Sequence, residues 1–133
     1  TTSITATLVT EDERIAFTSL LFPGAVIVGE VTTYATLDEL SEDYNGGFWN
    51  FYTLSNGGRY LAPATEKLYR IVQPNNFFEG KCSADASGII ATLYALSKMG
   101  FATKSDVICD HFTYLREFSY THEEAELISD AID

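Results

Sequence analysis

The chain has 133 residues, 46% of them hydrophobic, and a formal net charge of -11. Those totals exclude a disordered acidic tail and fit one domain that buries a core without help from metal or disulfide. The acid surplus opposes binding to DNA or to an anionic membrane, which select Lys/Arg surfaces, and no apolar run reaches the ~18 residues of a membrane span. No basic segment precedes the run FPGAVIVGEV as in a signal peptide, and Cys82 and Cys109 form no disulfide framework. A reduced cytosolic pair is therefore expected.

Residues 1–9 read as a flexible end. Thr10, with Glu13 three positions on, predicts a helix start, and Ile15, Phe17 or Thr18, and Leu21 continue its apolar face until Phe22-Pro23-Gly24 stops it. Val28, Val31, Tyr34, Leu37, Leu40 and Tyr44 recur at threes and fours, which predicts a second helix ended by Asn45-Gly46-Gly47. FWNFYTL, the turn SNGG and RYLAP predict a hairpin. KLYRIVQ, PNN and FFEGKC predict another, the two hairpins joining in an antiparallel meander of three or four strands.

Ser83 caps the next helix, with Asp85 in its first turn and Ala86, Ile89, Ile90, Leu93 and Leu96 on its apolar face; Gly100 ends it. Another helix starts near Ser105 and carries Ile108, Phe112 and Leu115. A last one starts at Thr121, where Glu124 stands at capping-box spacing, and carries Ala125, Ile128 and Ile132. The expected class is α+β: a small antiparallel sheet of two hairpins packed with about five helices in a single domain, 1–133.

Chemistry is sparse. Cys82, Cys109, His111 and His122 show no metal-ligand spacing, so no metal and no cofactor is expected. His111 beside an apolar face reads as a partly buried structural histidine, and His122 at a helix start reads as exposed. Cys109 and His111 are two apart on a helix and point in different directions. Ser55 sits in a turn between strands rather than in a nucleophile elbow. Neither Asn-Gly-Gly leads into a phosphate loop. No catalytic residue is assigned, and an enzyme is not expected.

Two readings of the aromatic hairpin remain. Its rings form a core, leaving the turn Ser55 to Arg59 exposed, or they form a platform for single-stranded nucleic acid through Trp49 and Tyr60, with Arg59, Lys67, Arg70 and Lys81 nearby. Alternation along the strand favours the core.

The stretch YNGGFWNFYTLSNGGRYLAP resembles the signature of the ArdB/KlcA family of antirestriction proteins, as does the block CSADASGIIATLYALS and, more weakly, HFTYLREFSYTHEEAELISDAID. The matching positions are Asn45, Gly46, Trp49, Tyr52, Leu54, Ser55, Asn56, Gly57, Gly58, Tyr60, Ala62 and Pro63 in the first block. In the second they are Ser83, Ala84, Asp85, Ala86, Gly88, Ile89, Ala91, Thr92 and Leu93. The resemblance implies a compact α+β protein that inhibits type I restriction-modification and so protects incoming mobile-element DNA. It implies as partner the restriction complex or an associated DNA-processing factor. It brings no catalytic residue, and the family is distinct from the DNA-mimicking ArdA proteins. Asn56, Arg59, Glu126, Asp130 and Asp133 are the candidate partner contacts, chosen as exposed turn residues and C-terminal acids.

Overall fold

The computed structural model describes residues 3–133. In chain order the elements are β1 (Ala6–Leu8), a 3-10 turn (Glu11–Glu13), α1 (Arg14–Leu21), α2 (Val26–Leu40), β2 (Trp49–Leu54), β3 (Arg59–Pro63), β4 (Leu68–Gln73), a second 3-10 turn (Pro74–Asn76), β5 (Phe78–Ser83), α3 (Ala84–Thr103), α4 (Asp106–Ser119) and α5 (Ala125–Ile132). The α+β class, the two hairpins and five helices are as the sequence implies. Of the segment read as a flexible end, Thr1 and Thr2 lie outside the described residues, while Ala6–Leu8 pairs antiparallel with β2.

The hairpins do not join in one meander. β1-β2-β3 form one sheet, with Tyr52 opposite Tyr60, and β4-β5 form a separate ribbon, with Tyr69 opposite Cys82. The reason lies at the free edge of β3. There the Leu61 N–H donates to the Thr92 hydroxyl of α3 (3.2 Å), which donates back to the Leu61 carbonyl (3.3 Å). A helix thus satisfies edge groups that another strand would otherwise pair. The approach is close because position 88 is glycine. A Cβ there would lie 2.3 Å from both Ala62 Cα and Leu61 O. α3 packs against α2, α4, α5 and both sheets, and from Ala86 to Leu93 every residue is buried.

Four expectations about helices need correcting. Consecutive threes rotate the stripe by about 60° per step at 100° per residue, so Val31 and Leu40 fall on opposite sides of α2. The buried face is instead Gly29, Thr33, Thr36, Leu37 and Leu40. Thr33 and Thr36 enter the core because their hydroxyls donate to the carbonyls of Gly29 (2.9 Å) and Thr32 (2.7 Å). Phe22 packs on Gly29, where a Cβ would stand 2.2 Å from the ring. Ile15 is exposed, α1 burying Phe17, Thr18 and Leu21.

Gly100 does not end α3, which runs on to Thr103 and stops at Lys104 in the left-handed region (φ 55°). A Cβ on Gly100 would stand 3.1 Å from Cys109 Sγ, so its smallness admits α4. Thr121 caps nothing. Its hydroxyl donates to Phe118 O, and Glu124 is turned towards Ser83.

Candidate functional site

A connected group of titratable side chains gathers where β5 runs into α3. Ser83 caps the helix, its Oγ accepting from Ala86 N–H at 3.1 Å. The same hydroxyl donates to the Glu124 carboxylate, whose other oxygen accepts the Ser83 N–H at 2.8 Å. One residue into α3, Asp85 accepts from Tyr60 Oη through Oδ1 and from His122 Nε2 through Oδ2, both at 2.8 Å. His122 Nδ1 in turn accepts the Glu124 N–H at 2.9 Å. Tyr60 stacks between Tyr52 and Phe118, with ring centroids 4.9 and 5.8 Å away.

Burial, and next to it the Asp85 carboxylate, drive the Tyr60 phenol far up, so it stays a donor. Burial pushes the neighbouring Cys82 thiol up to about 11, reinforced by Glu124. The hydrogen bond to Asp85 raises His122 above its ordinary value, against the pull of burial. The second histidine behaves oppositely. His111 is buried and held by Leu20 O at 3.0 Å, and burial, then Arg59, lowers it.

Chemically, serine, histidine and carboxylates are close together but wired apart. The Ser83 hydroxyl points to Glu124 and not to His122, both Asp85 oxygens are occupied, and both His122 nitrogens are engaged. The serine–histidine contact of a catalytic triad is missing from this cluster. The cluster therefore clamps α5 and β3 onto the start of α3.

The residues singled out from sequence scatter. Asn56 is half-buried and engaged, its amide nitrogen donating to Tyr114 O (2.9 Å) and its amide oxygen accepting from Gly58 N–H (3.0 Å). It fastens the turn to α4, contrary to its expected exposure. Arg59 is also half-buried. It donates to Gly57 O at 3.4 Å, lies over the Phe17 ring and is lowered by burial. Gly58 is buried, with its Cβ direction closed by Tyr114 at 2.9 Å, so the turn Ser55–Arg59 is only partly exposed. Asp133 pairs with Arg116 at 2.7 Å. Glu126 and Asp130 are exposed on α5.

Of the motif positions, Asn45 and Gly46 (φ 90°) lie in the loop after α2, and Gly57 (φ 96°) turns the hairpin. Ser55 accepts from Thr5 N–H at 2.9 Å, which anchors β1. Pro63 closes β3 opposite Trp49. Trp49 and Tyr60 are only 5% and 2% exposed, so the surface needed for base stacking is absent at the two rings named for it. The core reading of the hairpin holds. His122 is half-buried and paired instead of exposed, and neither its role nor that of Glu124 is legible locally, since their partners lie 37 and 41 residues away.

Clefts lie elsewhere. An aromatic one of about 230 Å³ is lined by Arg14, Tyr34, Tyr44, Phe48, Trp49 and Phe51. Burial and nearby Glu30 push the Tyr34 phenol there up to about 12. Phe48 stands 88% exposed at its rim. A polar cleft of about 350 Å³ between α2 and β4 presents Glu39, Glu42, Asp43 and Arg70. An apolar groove of about 600 Å³ between α3 and α4 is lined by Leu96, Phe101, Cys109 and Phe112. No group of three or more His, Cys, Asp or Glu side chains among the described residues is placed to hold a metal ion.

The sequence pattern of the antirestriction protein family matches residues 42–133. Two relatives from Escherichia coli, each named antirestriction protein KlcA, are 42% and 39% identical, and each alignment covers 98% of this chain and 95% or 94% of the relative. A solved structure superposes with a TM-score of 0.90 at 39% identity, covering 100% of this chain and 99% of its own. It comes from work on KlcA and ArdB that describes a novel fold and antirestriction activity against type I DNA restriction systems in vivo but not in vitro.

Proposed function

The chain belongs to the antirestriction protein family, and from that premise we propose that it inhibits type I restriction-modification in a bacterial cytoplasm, acting by protein contact and without catalysis. The observation that carries this reading is correspondence with KlcA and ArdB over the whole chain, sheet and helices alike. The target is the restriction complex or a DNA-processing factor working with it. Activity of those relatives in vivo but not in vitro fits a target or state that exists only in the cell.

Two physical features support contact over chemistry. The cluster at the start of α3 has its hydrogen-bonding capacity consumed internally, with no serine–histidine contact. The net charge of -11 disfavours direct competition for DNA and favours a basic protein surface.

The test is plating of unmodified phage on a type I-restricting host, with and without the expressed chain. Plating efficiency is expected to rise with the wild type and to stay raised with Ser83→Ala and His122→Gln, provided those variants accumulate folded. No rise with the wild type refutes the inhibitory role. Loss of protection by variants whose folding is intact refutes the absence of catalysis.

A further inference from the structure

The outward side of α2 is built against the usual rule. While Thr33 and Thr36 go to the core, Ile27 stands 76% exposed and Val28 and Val31 57% each. Ile27, Val31, Ala35 and Asp38 follow one another at spacings of four, four and three. They line one ridge of about 16 Å, with Val28 and Glu39 on its flank. All six are exposed. The ridge is thus apolar over its first two turns and acidic over its last.

Tyr34, three residues from Val31 and so its neighbour on the helix, opens into the cleft whose rim carries Phe48. Exposed aliphatics next to Tyr34, whose cleft carries an exposed phenylalanine at its rim, are of the kind that marks a contact surface. Among the described residues the ion pairs are Arg70–Glu79, Arg116–Asp133 and His122–Asp85, so Asp38, Glu39 and Glu42 stand outside them.

We propose that this face docks a basic protein surface, with Ile27, Val28, Val31 and Phe48 meeting an apolar centre and Asp38 and Glu39 meeting Lys/Arg side chains at the rim. The proposal rests on the protein-contact reading above and names the surface that reading lacks. Charge selects the occupant. Nucleic acid is repelled by the acidic end. A second copy offers the acidic end no cations: paired in parallel the two acidic ends oppose each other, and paired antiparallel each meets the apolar turns of the other and stays without a partner. A surface with an apolar centre and a cationic rim satisfies both halves of the ridge.

The test compares wild type, Ile27→Ser/Val31→Ser, Asp38→Lys/Glu39→Lys and, as a control at exposed acids of α4, Asp110→Lys/Glu117→Lys. Phage plating is measured in the restricting host, with unfolding midpoints and sedimentation of each purified protein. Both α2 variants are expected to lose roughly tenfold or more of the protection while keeping the wild-type midpoint, and the α4 variant to keep full protection: the first removes central anchors of the interface, and the second turns two reversed charges against a cationic rim. Full protection by the α2 variants beside a protecting wild type overturns the docking face and leaves the inhibitory role intact. A wild type that does not protect removes both. A wild-type dimer that the α2 variants abolish identifies the occupant as a second copy and overturns the basic partner.

Discussion

At the start of α3, Ser83, Asp85, His122 and Glu124 turn towards one another and towards Tyr60, each satisfying a neighbour. On the outer side of α2, fifteen residues of helix present Ile27, Val28 and Val31 to solvent, with carboxylates following. Residue type alone would assign the chemistry to the first region and the packing to the second. Hydrogen bonding reverses that assignment. A polar group whose partners are all internal is part of the scaffold, because unmaking those bonds costs more than any weak external contact returns. An apolar group without internal partners is available to another surface. None of the positions shared with the family signature lies on α2, and three of them, Tyr60, Ser83 and Asp85, belong to the first region, where they join β3, α3 and α5.

That contrast can be broken at its tightest point. Gly88→Val is expected to cost roughly 3 kcal/mol or more, since its first carbon meets backbone of β3 that has no freedom to move. Gly46→Ala, also at a motif position but with open space around it and a φ of 90°, is expected to cost about 1 kcal/mol from backbone strain alone. Denaturant midpoints measure both, and equal losses would show that α3 does not seat on Ala62 as described. Asp85→Ala comes next. It strands the Tyr60 hydroxyl and His122 Nε2 together, for an expected loss of about 2–4 kcal/mol. A loss below 1 kcal/mol (roughly one ordinary hydrogen bond) would mean the cluster is no clamp.

The two histidines give smaller effects of opposite sign. His122 is raised by Asp85, so its contribution is fully present below the unfolded value of about 6.5 and fades as pH rises through its folded value. His111 is lowered by burial, so its contribution is present above about 6.5 and fades as pH falls towards its folded value. Relative to wild type, His122→Gln is expected to lose more stability at about pH 5.5 than at about pH 8.5, and His111→Gln to lose less at the lower pH. Unfolding midpoints at the two values decide it, and parallel curves would refute the opposed environments.

What the sequence made legible was local. Ser83 caps its helix as expected, accepting from Ala86 N–H, and the helix expected from near Ser105 starts there, with Ser105 accepting from Ile108 N–H. Both hairpins form because strand-favouring aromatics flank turns that glycine or proline can make. The rest depended on distant contacts. Glu124 three residues after Thr121 looks like a capping box, yet Ser83, brought close by α3, competes successfully for its carboxylate. The threonines of α2 look too polar for a core until their hydroxyls are seen to bond their own helix, and once they are inside, the valines must be outside. Asn56 and Arg59 read as exposed because turns usually are, but α1 and α4 close over this one.

The smallest effect in stability gives a direct separation of the two regions. Cys109 is exposed, while Cys82 is buried beside Glu124 with its thiol pushed up to about 11. A thiol-reactive disulfide reagent is therefore expected to modify one cysteine of the native chain quickly and Cys82 only through opening of the cluster. Glu124→Ala should speed Cys82 by about tenfold for each 1.4 kcal/mol lost from the clamp. Ile27→Ser/Val31→Ser, whose side chains hold nothing inside the molecule, should stay within about 0.5 kcal/mol of wild type and leave Cys82 as slow as before. Equal acceleration by both would mean that α2's outer face helps hold the cluster shut, and the division between a scaffold and a free surface would fail there.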